Sequence, residues 1–440
     1  MNEKKAKVLY IADNRNRENF GCRATSIALY QLLEQKFDIV GTISGKYTLG
    51  EGMYWKCFPK KVYKVIGNSK KRQSRVKLWN AGTRILFSDK IRLKWFSWVG
   101  YDMKKNVDNL LKILPANPEL EELNLLNYDF DIMVINGEGT MIMTEPPRID
   151  TLIYLMYCWW GKKLGKRVYF VNAMFSDCPV TGKNKKTVEL SDAILKECDL
   201  VAVRDKVSLR YIMEYMPNCK AVMYPDALFS WKKYADNKEI LENGRYCLPY
   251  GCETNEMFDK LDFTEPYICV SGSSLSVKNP ESAKKAYEKL VIALKEKVDV
   301  NVYLLEACVG DRFLREVGEK TDTPCITSAV PILAAAKILQ QAKVYISGRY
   351  HPSILSSLGG TPCIFLGSNS HKTSSLQEVL EYESIEEYGA NPQEDEISAI
   401  IKKVEYLLQN NSTKRTQINV ITEKLSIQAS ELIDAIECVK

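Results

Sequence analysis

The stretch Lys343-Val344-Tyr345-Ile346-Ser347-Gly348-Arg349-Tyr350-His351-Pro352 decides how this chain is read. An apolar run at 343–347 is too short for a helix and reads as a buried strand, Gly348 breaks it, and Pro352 belongs in the first turn of a helix over 352–358. Leu358-Gly359-Gly360-Thr361-Pro362 then closes that helix and opens a strand over 362–366. Strand, helix and strand in so few residues is the unit of a parallel sheet covered by helices.

The same alternation extends upstream. A helix over 331–341 precedes the stretch, and a strand over 300–305 precedes that helix. Asn279 can cap a helix whose first position is Pro280. Within it Ala283, Ala286, Tyr287, Leu290, Val291 and Leu294 fall on one face. Tyr267–Val270 reads as the strand before it. In the N-terminal half, Val8–Ala12, Asp131–Ile135, Arg167–Asn172 and Leu200–Val203 read as strands, with a helix over Arg23–Gln35 and a loop, Asn136-Gly137-Glu138-Gly139-Thr140, after the second strand. The expected fold is α/β, with two doubly wound Rossmann-like domains: 1–235, a linker at 236–264, 265–425, and a C-terminal helix at 426–440.

Composition sets the class. The 440 residues are 45% hydrophobic and 26% charged, which suits globular domains and excludes disorder. The 13 cysteines form no CxxC pair, so they read as reduced thiols, with Cys269 and Cys363 as small buried hydrophobes. The longest apolar stretch, Leu152–Trp160, is far short of a membrane span, and the short apolar run at the N-terminus reads as a strand rather than a signal peptide. A cytoplasmic protein is expected. No GxGxxG, GxxxxGK[ST] or GxSxG is present, which argues against a dinucleotide fingerprint, a P-loop and an ordinary α/β-hydrolase. No spacing predicts a metal site, and no cofactor is expected.

Residues 60–105 depart from the rest. They hold 14 lysines and arginines against two acids, a net of +12 in a chain of +6, interleaved with Trp79, Phe87, Trp95, Phe96, Trp98 and Tyr101. Such a stretch suits an anionic membrane surface. It equally suits a solvated insertion whose aromatics pack on the domain. No nucleic-acid motif accompanies it, so nucleic acid is not an expected partner.

Ligands in parallel sheets bind after the strands. Arg349 offers a planar charge for phosphate or carboxylate at a helix N-terminus. His351, one of two histidines, offers an acid or base beside it. Arg204 and Asp205 follow a strand, either as a surface ion pair with Asp205 as a helix cap, or as a site. Gly137 and Gly139 allow close backbone approach, and Glu138 could deprotonate a hydroxyl; the alternative is a tight turn with an exposed carboxylate. Lys372, with His371 and Ser374 in a polar stretch after 362–366, can hold a diphosphate or be a polar surface turn.

Taken in order, Asn19-Phe20-Gly21, Gly137-Glu138-Gly139-Thr140, Val203-Arg204-Asp205 with Ser208, Tyr224-Pro225-Asp226, and Ser347–Pro352 followed by 358–362 resemble the polysaccharide pyruvyl transferase family. The resemblance spans most of the chain apart from 60–105, and the last element is its most specific. It implies a GT-B-like fold with the active-site cleft between the domains. The implied reaction takes a pyruvyl group from phosphoenolpyruvate to a sugar of a cell-surface polysaccharide or its lipid-linked precursor; the membrane reading of 60–105 would place such an enzyme peripherally at the inner face of the membrane. The family's arginines fall on Arg204 and Arg349, its histidine on His351 and its lysine on Lys372. Family members commonly carry an acid where this chain has Cys22, which bears on the substrate. Two other readings remain: a GT-B glycosyltransferase using a nucleotide sugar, with Glu138 as base and Arg349 and Lys372 on the diphosphate, and a non-catalytic sugar- or membrane-binding subunit.

Overall fold

The computed structural model describes residues 5–45, 85–86, 98–116, 118–235, 261–276 and 279–438. Most of the basic segment 60–105, and the expected linker up to residue 260, lie outside them. The chain divides into two compact units.

The first unit comprises Met1–Asn14, Leu33–Tyr224 and Ile433–Lys440. Its strands are β1 (Lys7–Asp13), β2 (Asp38–Ser44), β3 (Ile132–Met143), β4 (Arg167–Asp177), β5 (Leu200–Val203) and β6 (Ala221–Met223). They form one sheet in the order β2-β1-β3-β4-β5-β6, and every pairing is parallel. β1 is a nearly unbroken apolar run whose residues Val8 to Ala12 are fully buried, as a strand covered on both faces requires. The longest apolar stretch of the sequence becomes the centre of α3 (Ile149–Lys163), in which Leu152 through Cys158 are buried. Between α1 (Phe20–Lys36) and α3 lies α2 (Met103–Ile113), and α4 (Lys185–Leu195) and α5 (Lys206–Tyr215) follow.

One expectation changes here, and for Trp98 one of two open readings is met. The stretch 136–140 is not a loop but part of β3, which continues to Met143 beside a β4 of nearly the same length, with an irregular register after Glu138. Trp98, an aromatic of the basic segment, is buried in the core of this unit with Val99, and its carbonyl accepts a hydrogen bond from Asn109 (3.0 Å). Its ring is therefore spent on packing.

The second unit comprises Arg15–Leu32 and Pro225–Leu432. Its strands are β7 (Tyr267–Ser273), β8 (Asn301–Leu305), β9 (Cys325–Ile326), β10 (Tyr345–Gly348) and β11 (Cys363–Phe365), in the parallel order β11-β10-β7-β8-β9. The helices are α6 (Pro280–Lys297), α7 (Phe313–Thr321), α8 (Ile332–Gln341), α9 (Tyr350–Ser357), α10 (Lys372–Val379), α11 (Glu394–Gln409) and α12 (Asn411–Cys438). Asn279 caps α6 by accepting from Ser282 N (3.2 Å), and the six apolar positions read from the sequence are its buried face. Of these, Leu290, Val291 and Leu294 each contribute about 1.5–3 kcal/mol by leaving water. Helix α9 starts two residues before Pro352, so Arg349 occupies its N-cap position and His351 its first turn. The last helix is continuous from Asn411, well before the expected 426.

Residues 15–32 join the second unit although β1 precedes them in the chain. Their hydrogen bonds explain it. Phe20 N donates to the Ala307 carbonyl (2.9 Å), and Arg23 Nη2 donates to the carbonyls of Ser328 (3.4 Å) and Val330 (3.2 Å). Cys269 and Cys363 are buried as expected, and burial pushes the Cys363 thiol up to about 11.

Candidate active site

In an open parallel sheet the ligand crevice forms outside the strand carboxyl ends, where the strand order reverses. In the second unit that point lies between β7 and β10. Serines knit the two strand ends together. Ser347 Oγ donates to the Gly272 carbonyl (3.3 Å) and accepts from Arg349 N (3.0 Å). Ser273 Oγ donates to the Gly367 carbonyl and accepts from Leu275 N (3.1 Å). A Cβ on Gly348 would fall 2.6 Å from that of Ser273, so only glycine lets β10 leave the sheet here.

Arg349 turns its guanidinium onto Asp311, a residue the sequence reading did not single out. Nε lies 3.2 Å from Oδ2 and Nη2 2.5 Å from Oδ1. Asp311 is wholly buried and ends a short 3₁₀ turn, Val309–Asp311, after β8. Burial pushes its carboxyl above the ordinary range, and Arg349 opposes this. For Arg349 burial works against the charge, but Asp311 outweighs it and the pKa rises. Among the described residues Nε and Nη2 are the guanidinium nitrogens bonded to Asp311, and no hydrogen bond of Nη1 is formed.

His351 is nine-tenths buried. Its Nε2 lies 3.2 Å from Oδ2 of Asp226, which is fully buried and precedes the 3₁₀ helix Ala227–Tyr234. The other oxygen of Asp226 accepts from Thr25 Oγ1 (2.7 Å) and Leu228 N (3.0 Å). Tyr350 meets the imidazole edge to face at 5.1 Å. The start of α1 covers the opposite side: a Cβ on Gly21 would lie 2.7 Å from His351 Nδ1 and 2.8 Å from its Cβ. Asn19 caps that helix, accepting from Cys22 N (3.1 Å).

The loop from β11 to α10 reaches the same sheet edge, because Asn369 N donates to Ser274 Oγ (2.9 Å) beyond β7. Lys372 Nζ donates to Asn369 Oδ1 (3.2 Å), and Ser374 Oγ donates to the His371 carbonyl (3.1 Å). His371 occupies the N-cap position of α10 without a side-chain cap bond. This unit thus brings Arg349, His351 and the Lys372 loop to one edge.

The first unit holds the other candidates, at the reversal between β1 and β3. Glu138 is buried rather than exposed. Its Oε1 accepts from Asn14 Nδ2 (2.7 Å) and Asn136 Nδ2 (3.1 Å), and Asn172 Nδ2 in turn donates to Asn136 Oδ1 (3.0 Å). Ala12, Glu138 and Asn172, on three adjacent strands, all have positive φ (66°, 41° and 57°). Strain of this kind, at about 1–3 kcal/mol per residue, persists where surrounding structure enforces it. Gly137 has a packing reason: a Cβ would stand 2.6 Å from that of Ala173. The Gly139 carbonyl accepts from Arg148 Nη1 (3.1 Å). Arg204 and Asp205 are buried, which overturns the surface ion pair. Asp205 caps α5, accepting from Ser208 N (2.7 Å) and Ser208 Oγ (3.0 Å).

The sequence reading weighed cationic side chains and passed over their counter-charges. Asp226 was visible only as part of Tyr224-Pro225-Asp226, and Asp311 gave no signal beyond following a strand. A rule that buried arginines and histidines are paired would have prompted a search for both.

Two parallel-sheet α/β domains define a GT-B-fold protein. The chain is similar to a putative UDP-N-acetylglucosamine 2-epimerase from Listeria monocytogenes (10% identity, 99% of this chain and 96% of that one, TM-score 0.52). It is equally similar to a UDP-glucosyltransferase from Polygonum tinctorium (10%, 99% and 100%, 0.52) and to the UDP-GlcNAc 2-epimerase of Neisseria meningitidis (10%, 98% and 99%, 0.51). At such identities the likeness shows the fold. No curated protein matches the chain. The family is shown by its sequence model: the polysaccharide pyruvyl transferase model matches residues 19–370, most of the chain, and the protein belongs to that family of transferases. The match takes in Gly21, Asp226, Arg349 and His351 and stops short of His371 and Lys372.

Proposed function

We propose that the protein transfers a pyruvyl group from phosphoenolpyruvate to a pair of hydroxyls on a sugar of a surface polysaccharide or its lipid-linked precursor. The observation that carries this reading is His351, held at the carboxyl end of β10 against the buried Asp226, in a chain of this family. Protonated His351 gives its proton to the methylene carbon of the donor, which becomes a methyl group. The adjacent carbon gains cationic character and is attacked by one hydroxyl. The C–O bond to phosphate breaks, the second hydroxyl attacks, and a ketal forms. One hydroxyl proton restores His351 and the other leaves with phosphate. Arg349 through Nη1, Lys372 and Arg204 are assigned to the donor's carboxylate and phosphate, where charge-assisted bonds are strong. Glu138, with Gly137 and Gly139 beside it, is assigned to the acceptor, since its accepting oxygens suit sugar hydroxyls.

The test is phosphate release from phosphoenolpyruvate in the presence of candidate sugars and nucleotide sugars. His351→Ala should lower turnover by about 10²–10⁴-fold. Near-normal turnover in that variant rejects the proton-transfer role. Consumption of a nucleotide sugar with no reaction of phosphoenolpyruvate replaces pyruvyl transfer by glycosyl transfer.

A further inference from the structure

We propose that Asp226 is the positioning residue for His351 and that, with Thr25 behind it, it holds the ring in the tautomer whose hydrogen sits on Nε2. The role of His351 itself rests on the function proposed above; the geometry around the ring does not.

Asp226 is enclosed by donors. Thr25 Oγ1 and Leu228 N both point at Oδ1, leaving Oδ2 for the imidazole at 3.2 Å. Two donors on one oxygen favour the charged form of the carboxyl group, and a carboxylate can only accept. The hydrogen of this contact therefore belongs to Nε2, and in the neutral ring Nδ1 carries the lone pair. The carboxylate is also firmly located. It caps the 3₁₀ helix that follows it, and both Asp226 and Thr25 are fully buried. Against the ring stand Asp226 from that helix, Tyr350 from α9 and Gly21 from α1.

Nδ1 faces Gly21, and the glycine has a reason in the same geometry. Any side chain at position 21 would occupy the space in front of Nδ1, since its Cβ would lie at 2.7 Å. Two segments far apart in sequence thereby act on one ring: α1 packs Gly21 against one nitrogen and orients Asp226 through Thr25, and Asp226 binds the other nitrogen. Removing the charge while keeping the shape, as in Asp226→Asn, presents an amide that can offer N–H to Nε2 and so favours the opposite tautomer.

The experiment is nitrogen NMR on the full-length protein labelled with ¹⁵N-histidine. The chain has two histidines, and the His351 signals are assigned by their loss in His351→Ala. At a pH where the ring is neutral, the wild type should show a protonated Nε2 and a bare Nδ1. Asp226→Asn should reverse or mix the two. Its turnover should fall about 10²–10⁴-fold while the KM for phosphoenolpyruvate stays within about threefold. Thr25→Val should lose about tenfold in turnover and Thr25→Ser should recover it. A wild-type spectrum with the proton on Nδ1 overturns the proposal, as does an Asp226→Asn spectrum identical to it. If Asp226→Asn does not fold, the wild-type spectrum and the Thr25 pair still decide. The spectra need no turnover: expected spectra with an active His351→Ala enzyme would sink the pyruvyl-transfer role of His351 and leave the positioning intact.

Discussion

Replacing Asp311 by asparagine should destabilise the second unit severely, and the size of the loss follows from the pair it breaks. The carboxylate is fully buried, Arg349 is 13% exposed, and two of the guanidinium nitrogens are spent on it. Removing one partner of a buried ion pair leaves the other charge uncompensated and typically costs about 3–5 kcal/mol. A domain of this size shifts its melting temperature by about 2–4 °C per kcal/mol, so the unit's transition should fall by roughly 6–20 °C. Calorimetry on wild type, Asp311→Asn and the double variant Asp311→Leu/Arg349→Met reads this directly. The double variant removes both charges and should recover most of the loss, because a desolvated pair is often no better than apolar side chains of similar volume. A melting temperature for Asp311→Asn within about 2 °C of wild type would falsify the reasoning, and so would a double variant as unstable as the single. The same pair changes what Arg349→Lys means. Lysine keeps the charge but loses the fork, so the variant should lose stability as well as donor affinity, and the two effects need separate measurement.

Gly21→Ala should cut turnover by about 10–100-fold while costing about 1–3 kcal/mol of stability, since the new methyl group meets the His351 ring at 2.7 Å; an alanine variant with full activity removes the argument that this glycine serves the histidine. Residues 60–105 should bring the protein to anionic vesicles in a salt-dependent manner, each basic residue near the surface contributing about 1 kcal/mol at low salt. Flotation that is equal with neutral and anionic vesicles, and indifferent to salt, speaks against that role. Because Trp98 is committed to the core of the first unit, its replacement should weaken folding rather than vesicle binding.

The legible parts of the fold were those with a local signature. The apolar face of α6, its Asn279 cap and the short strand before Arg349 are written in adjacent residues, and the structure has all three, the strand at Tyr345–Gly348 rather than 343–347. The continuation of β3 through Glu138 was not legible. Two glycines within Asn136–Thr140 read as a turn, whereas the strand carries them because β4 is nearly as long and Gly137 must clear Ala173. The placement of residues 15–32 was hidden for a related reason. Helix α1 follows β1 in the chain, and nothing local tells Phe20 that its N–H will meet the Ala307 carbonyl. For the candidate site, sequence pointed to Arg349 and His351 through their position after a strand. It could not supply Asp311 and Asp226, which approach from other strands and segments.

What the family motifs have in common is better seen from the histidine than from the sequence. Asn19 caps the first turn of α1 and so sets where Gly21 lies. Gly21 has no side chain because the imidazole needs that volume. Asp226, preceded by a proline that limits its approach, places a carboxylate on the far nitrogen, and Thr25 returns from the same helix as Gly21 to hold that carboxylate. Two residues of α1, four positions apart and so on one face of it, therefore serve opposite sides of one ring. A change in the helix start moves both at once. This coupling gives a physical reason for Asn19-Phe20-Gly21 and Tyr224-Pro225-Asp226 to occur in the same chain as Arg349-Tyr350-His351: the second unit assembles all three around one imidazole.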